Sequence, residues 1–179
     1  MLHQVGAVAV EVRRPAELED LDGLVIPGGE STTIGRLAGL YGLLEPLRST
    51  LGEGLPCFGT CAGAILLGCE ALFADGTPSP QPLLEAMDTT TRRNAFGRQV
   101  ASFEATIDVD GVGAMHAVFI RAPWFERCGP AVQVLANVGT VHGPKAVVVR
   151  QGSLIASAFH PELTDDPRLH RLFVESITA

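Results

Sequence analysis

Five short apolar runs constrain this chain more than any other feature: "GLVIPGG", "LPCFG", "HAVFI", "KAVVV" and "LIASAF". Runs of this kind, without a polar residue at every second position, read as strands covered on both faces. Such strands belong to an α/β protein, in which helices lie over both sides of a sheet. The 179 residues fit one domain spanning 1–179, long enough to bury a substantial core without staples.

A coarse pass along the chain predicts strands at residues 7–12, 23–27, 55–58, 100–109, 116–122, 132–136, 145–150 and 154–159. Helices are predicted at 32–51, 63–72 and 165–177. Early strands alternate with helices and later ones follow one another closely. This order predicts a doubly wound, mostly parallel sheet carrying a smaller antiparallel section. Ser31 or Thr32 is positioned to cap the long helix, whose Ile34, Leu37, Leu40, Leu43, Leu44 and Leu47 recur at helical spacing. The final helix carries Leu169, Leu172, Phe173 and Ile177 on one stripe, with Thr164 or Asp165 as its cap. Residues 74–88, "ADGTPSPQPLLEAMD", hold three prolines and read as a surface connection.

Composition removes several function classes. A net charge of −7 opposes binding to a phosphate backbone, so no nucleic-acid partner is expected. No apolar run approaches the roughly 18 to 20 residues of a membrane span, so no membrane partner is expected. No basic segment precedes an apolar stretch at Met1, and the cytoplasm is the simplest address. Cys57, Cys61, Cys69 and Cys128 form no CxxC pair and have no nearby histidine at ligand spacing, so neither a metal site nor a disulfide framework is indicated. Three of them, Cys57, Cys69 and Cys128, read as small buried apolar residues.

In open α/β sheets, ligands collect outside the carboxyl ends of the parallel strands. Three predicted strand ends carry chemistry: Gly28-Gly29-Glu30-Ser31, Gly59-Thr60-Cys61-Ala62-Gly63, and His160-Pro161-Glu162. The second has the outline of a nucleophile elbow with a thiol in place of a hydroxyl. A thiol attacks as its thiolate, a form favoured at a helix N-terminus and beside an imidazole. His160 is suited to general base and then general acid, and Glu162 to orienting its ring. Backbone amides at Gly28-Gly29 and Ala62 are suited to holding a developing oxyanion, an effect worth ~3 to 4 kcal/mol per donor in acyl transfer. Taken singly, each motif reads as an ordinary turn or an inert core cysteine. Their combination at three strand ends favours a Cys-His-Glu hydrolase of amide bonds.

At these residues the chain resembles the triad-type, class I glutamine amidotransferases, and within them the glutaminase subunit of pyridoxal 5′-phosphate synthase. The resemblance runs through "PGGESTTIGRL", "FGTCAGAILL", "RRNAFGRQVASFEA", "AVFIRAP", "VVVRQG" and "SAFHPELTDD", nearly the whole chain. It implies a three-layer sheet fold and hydrolysis of L-glutamine to L-glutamate and ammonia through a γ-glutamyl thioester on Cys61. His160 would protonate the departing ammonia, and no cofactor would be needed. The ammonia would pass to a barrel-type pyridoxal 5′-phosphate synthase subunit in a hetero-oligomer. Matched residue by residue, Gly29 and Ala62 become oxyanion donors, and Gly29, Glu30, Ser31, Arg93, Ile120 and Arg121 become glutamine contacts. Arg93 suits an α-carboxylate because a guanidinium binds one bidentately. Arg92 and Arg98 are expected as solvated charge or as part of the synthase interface, and His3, His116, His142 and His170 as ordinary surface or core residues.

The resemblance also implies an apolar strand ending in Leu-Gln-Gly ahead of a first helix. In this sequence Met1-Leu2-His3-Gln4 resembles the tail of that helix, and the strand is missing. Impaired oxyanion stabilisation or weakened synthase binding is the expected consequence. A docking or regulatory module of the same synthase is the alternative reading.

Overall fold

The computed structural model describes residues 1–97 and 102–177. Its core is a mixed sheet built around β2 (Cys57–Thr60), in which every residue is buried. β2 runs parallel to β1 (Leu24–Ile26) on one side and to β10 (Leu154–Ser157) on the other. The sheet continues from β10 through β9 (Gly143–Gln151) and β7 (Trp124–Cys128) to β4 (Met87–Arg92) and β3 (Gly68–Leu72). β8 (Gln133–Thr140) branches from β9. Pairing at both ends of this path is parallel and in the middle antiparallel. A separate antiparallel ribbon pairs β5 (Ser102–Val109) with β6 (Gly113–Ile120).

Both faces of β2 are covered, as its unbroken apolar run requires. On one face Phe58 meets Phe173 and His170 of α4 (Arg168–Ile177), with ring centroids 5.9 and 5.4 Å apart. On the other lies α3 (Ala62–Leu67), which comes close because Gly59 has no side chain. A Cβ there would stand 2.7 Å from both Leu67 and the Gly63 carbonyl. Gly63 presses on β1 in turn, since its own Cβ would lie 1.9 Å from the Ile26 carbonyl oxygen. The ribbon joins the core through Phe119, stacked on Phe103 at 4.5 Å and tilted against Phe159 at 5.4 Å.

The fold departs from the sequence expectations at several places, each for a local reason. The long helix is two helices, α1 (Ser31–Leu40) and α2 (Leu44–Gly52), parted where Gly42 takes φ +69°. Leu37 and Leu40 of its expected stripe are exposed. Neither Ser31 nor Thr32 caps α1: Glu30 does, accepting from the Thr32 and Thr33 amides. The helix expected over residues 63–72 ends at Leu67, because the next five residues pair in parallel with β4. Strands β4 and β7 were not anticipated, since "MDTTTR" carries its β propensity in buried threonines instead of aliphatics. Residues 74–88 are no mere surface link: Leu83, Leu84 and Met87 are buried. The Leu84 amide bonds the Leu66 carbonyl at the end of α3.

No strand forms at residues 7–12: a groove of about 1330 Å³ lies between this stretch and β1, so its amides have no ladder to join. The first residues make a 3-10 turn, Leu2–Val5. The strand expected from residue 100 begins, within the described residues, at Ser102; Val100, Ala101 and Arg98 lie outside them. α4 starts at Arg168, with the Asp166 carboxylate accepting from the Arg168 amide in place of Thr164 or Asp165. Cys57 is buried, Cys128 half-buried and Cys69 exposed. Cys69 escapes burial because β3 is an edge strand. Among the described residues, no helix is long and apolar enough to cross a membrane.

Candidate active site

The three chemistry-bearing strand ends meet because their strands are neighbours. Thr60 of β2 sits opposite Ser157 of β10, so the residues leaving those strands emerge side by side. The Cys61 amide then donates to the Ser157 carbonyl at 2.8 Å, and the chain turns sharply into α3. Cys61 holds φ +49° and ψ −100°, a conformation disfavoured for a residue with a Cβ. This is the strained strand-to-helix turn that a nucleophile elbow requires.

His160 follows β10 and is fixed at both ends of the residue. Its amide donates to the Val118 carbonyl of β6 at 3.0 Å, and its Nδ1 donates to Glu162 Oε1 at 2.7 Å. Glu162 lies in a 3-10 turn, Pro161–Leu163, which brings its carboxylate back under the ring. Hydrogen bonding first to Cys61 and then to Glu162 raises the His160 pKa to about 10, against partial burial. Burial pushes the Glu162 carboxyl up, yet the bond from His160, a backbone hydrogen bond and the nearby His160 and His170 charges together leave the group below the ordinary carboxylate range. At neutral pH the ring is therefore an imidazolium between sulfur and carboxylate.

The Gly28 backbone closes over this pair. A Cβ at Gly28 would stand 2.4 Å from His160 Cε1, 2.9 Å from its Nδ1 and 3.5 Å from the Cys61 Cβ. Only glycine allows this approach, which also leaves Cys61 just 6% exposed. Gly29 takes φ +148°, and Ala62, buried, opens α3 directly after the thiol.

Beyond Gly29, Glu30 and Arg93 form an ion pair at 2.7 Å. The Glu30 carboxyl is pushed up by burial but falls to about 2 overall, because Thr33, through side chain and amide, and Thr32 donate to it. Arg93 also donates to Ser79 Oγ at 2.9 Å and lies 5.9 Å from the Phe73 ring centroid. Ser31 is buried, and its hydroxyl donates to Gln81 Oε1 at 3.1 Å. Ile120 ends β6 and Arg121 follows it, two and three residues past the carbonyl that holds His160. Arg121 takes φ +43°. Sequence reasoning missed Phe73, Ser79 and Gln81. Their only signal was an aromatic residue just before a proline-rich connection and two polar residues within it. The other histidines stand apart from the triad's direct bonds: His3, His116 and His142 are exposed, and His170 is buried against Phe58.

Comparison with known proteins agrees with this architecture. A solved crystal structure described as a glutamine amidotransferase superposes with a TM-score of 0.90 at 51% identity, covering 99% of this chain and 90% of that one. The fold is thus that of the class I glutamine amidotransferases. The family model for the SNO glutamine amidotransferase family matches residues 1–179, and the chain belongs to that family. The chain is 60% identical over 180 residues to the pyridoxal 5′-phosphate synthase subunit PdxT of Frankia alni, an alignment spanning 99% of this chain and 87% of the relative. It is 58% identical to the subunit of the same name from Parafrankia sp., over 99% and 85%.

Proposed function

We propose that this chain is the glutaminase subunit of a pyridoxal 5′-phosphate synthase, hydrolysing L-glutamine with Cys61, His160 and Glu162 and passing ammonia to a barrel-type partner. Residues 1–179 act as a single glutaminase domain. The Cys61 sulfur attacks the γ-carbonyl carbon, its proton having gone to His160. The resulting oxyanion lies against the Gly29 and Ala62 amides. His160 returns the proton to the amide nitrogen, the C–N bond breaks, and ammonia leaves behind a thioester. Water, deprotonated by the now neutral ring, attacks the thioester and releases glutamate and the thiol.

Glutamine is recognised as a zwitterion. Its α-carboxylate competes with Glu30 for the Arg93 guanidinium, and its α-ammonium takes up the Glu30 carboxylate so released. Ser31, Ile120 and Arg121 complete the wall around the amino-acid head. The observation that carries the reading is the convergence of a cysteine sulfur, an imidazole ring and a carboxylate under one glycine at adjacent strand ends.

The test is glutamate release from glutamine, with and without the barrel synthase, for the wild type and Cys61→Ala. Release that vanishes in the variant supports the proposal. Undiminished release from the variant refutes the role of Cys61. Binding to the synthase without turnover under any condition would instead make the chain a docking module.

A further inference from the structure

Arg92 is the last residue of β4 and Arg93 the first of the turn that follows, and their side chains go to different places. Arg93 serves the glutamine side. Arg92 opens into a second concavity of about 320 Å³ at the start of β7 and β9, with Trp124 as its floor. Lys145 Nζ lies 4.9 Å from the indole centroid and the Arg92 guanidinium carbon 6.0 Å from it. His142, on the β8–β9 turn, forms the rim.

One carboxylate lies among these cations, and it is already committed. Glu126 Oε2 accepts from Arg92 Nε at 2.9 Å and from Trp124 Nε1 at 2.5 Å. Burial works against its charge, but the Trp124 bond and the nearby Arg92 and Lys145 keep the carboxyl below its ordinary range. Glu126 therefore balances Arg92 and holds the indole in place. Among the described residues Lys145 makes no ion pair or hydrogen bond, and with Arg92 it sets two cations against the one carboxylate, Glu126, so the pocket is net positive. A fixed indole floor, an anchored guanidinium edge and a spare ammonium together form a receptor for a small tetrahedral anion.

We propose that this pocket binds a monophosphate group, free or esterified, at a site separate from the glutamine crevice. A phosphate presents acceptor oxygens to Lys145 and to the outer edge of Arg92 at once, and a cavity of about 320 Å³ has room for an ester substituent as well. Lys145 supplies the uncompensated charge, Arg92 the directional donors.

The chain has a single tryptophan, and it is Trp124, so its fluorescence reports the pocket directly. Inorganic phosphate and glycerol phosphate are titrated into the full chain, with chloride at matched ionic strength as the control. A saturable change with either phosphate, absent with chloride, is expected. Lys145→Gln should weaken it about fivefold or more, and Lys145→Arg should preserve it within about twofold. Cys61→Ala should leave it intact, which separates this pocket from the glutamine site. No saturable change, an equal change with chloride, or an unaltered titration in Lys145→Gln overturns the proposal.

Discussion

Replacing Gly28 by alanine tests the site geometry most directly. The added Cβ would lie 2.4 Å from His160 Cε1, about 0.6 Å inside the closest approach that real Cβ atoms make and about 1 Å inside ordinary contact. The backbone itself has no reason to resist, because Gly28 is not among the glycines with positive φ. Relief must therefore come from the imidazole ring, which is tied to Glu162 at 2.7 Å and to Val118 through its amide at 3.0 Å. A ring displaced by about 1 Å from a reacting nucleophile costs on the order of a hundredfold in rate, or about 2.7 kcal/mol of barrier. Steady-state glutamate release in the presence of the synthase should show kcat falling about a hundredfold for Gly28→Ala. Far-UV circular dichroism should be unchanged. Gly39→Ala is the control, because a Cβ at Gly39 meets nothing within 4 Å. If Gly28→Ala retains kcat within about threefold of wild type, His160 does not sit against this backbone during turnover.

Four further outcomes are expected. Arg93→Ala should raise the KM for glutamine about 10- to 100-fold with kcat nearly kept, from loss of a charged hydrogen-bond donor worth roughly 1.5 to 3 kcal/mol; initial-rate kinetics decide it. His160 titrates at about 10 when folded and near 6.5 when unfolded, so its stabilisation is full below about 6.5 and lost as pH rises through about 10. Thermal melts from pH 7 to 10 should accordingly fall more steeply for wild type than for His160→Asn, and parallel slopes would contradict the assignment. Gly63→Ala places a Cβ 1.9 Å from a backbone oxygen that cannot step aside, and should leave little soluble folded protein on expression. Phe173→Ala empties a fully buried position against Phe58 and should cost about 3 to 5 kcal/mol in urea unfolding.

The residues proposed as a triad were legible because Cys61 and His160 come just after buried apolar strands, and buried strands announce themselves. "LPCFG" and "LIASAF" located β2 and β10 to within two residues, and their parallel pairing then determined where Cys61 and His160 emerge. Elements whose identity is decided by a distant partner were not legible. Residues 68–72 continue an apolar helical pattern, yet β4 captures them into the sheet. The threonines of β4 carry no aliphatic signal, although Thr89 and Thr91 are fully buried. At residues 7–12 the alternating pattern was that of a strand, but an edge to pair with is a property of the whole molecule. Around the substrate-facing residues the sequence indicated Glu30 and Arg93 without their mutual ion pair, since nothing local links positions 63 residues apart.

Cys61 and His160 follow neighbouring strands held in register by Thr60 and Ser157. Their spacing is thereby inherited mainly from the repeat between adjacent strands, about 4.8 Å, with one tie from the long stretch of chain that joins them, the Val118 carbonyl that holds the His160 amide. That intervening polypeptide can be lengthened, shortened or exchanged at its exposed turns while the sulfur and the ring keep their relative placement. One residue added between Ser157 and His160 would destroy it.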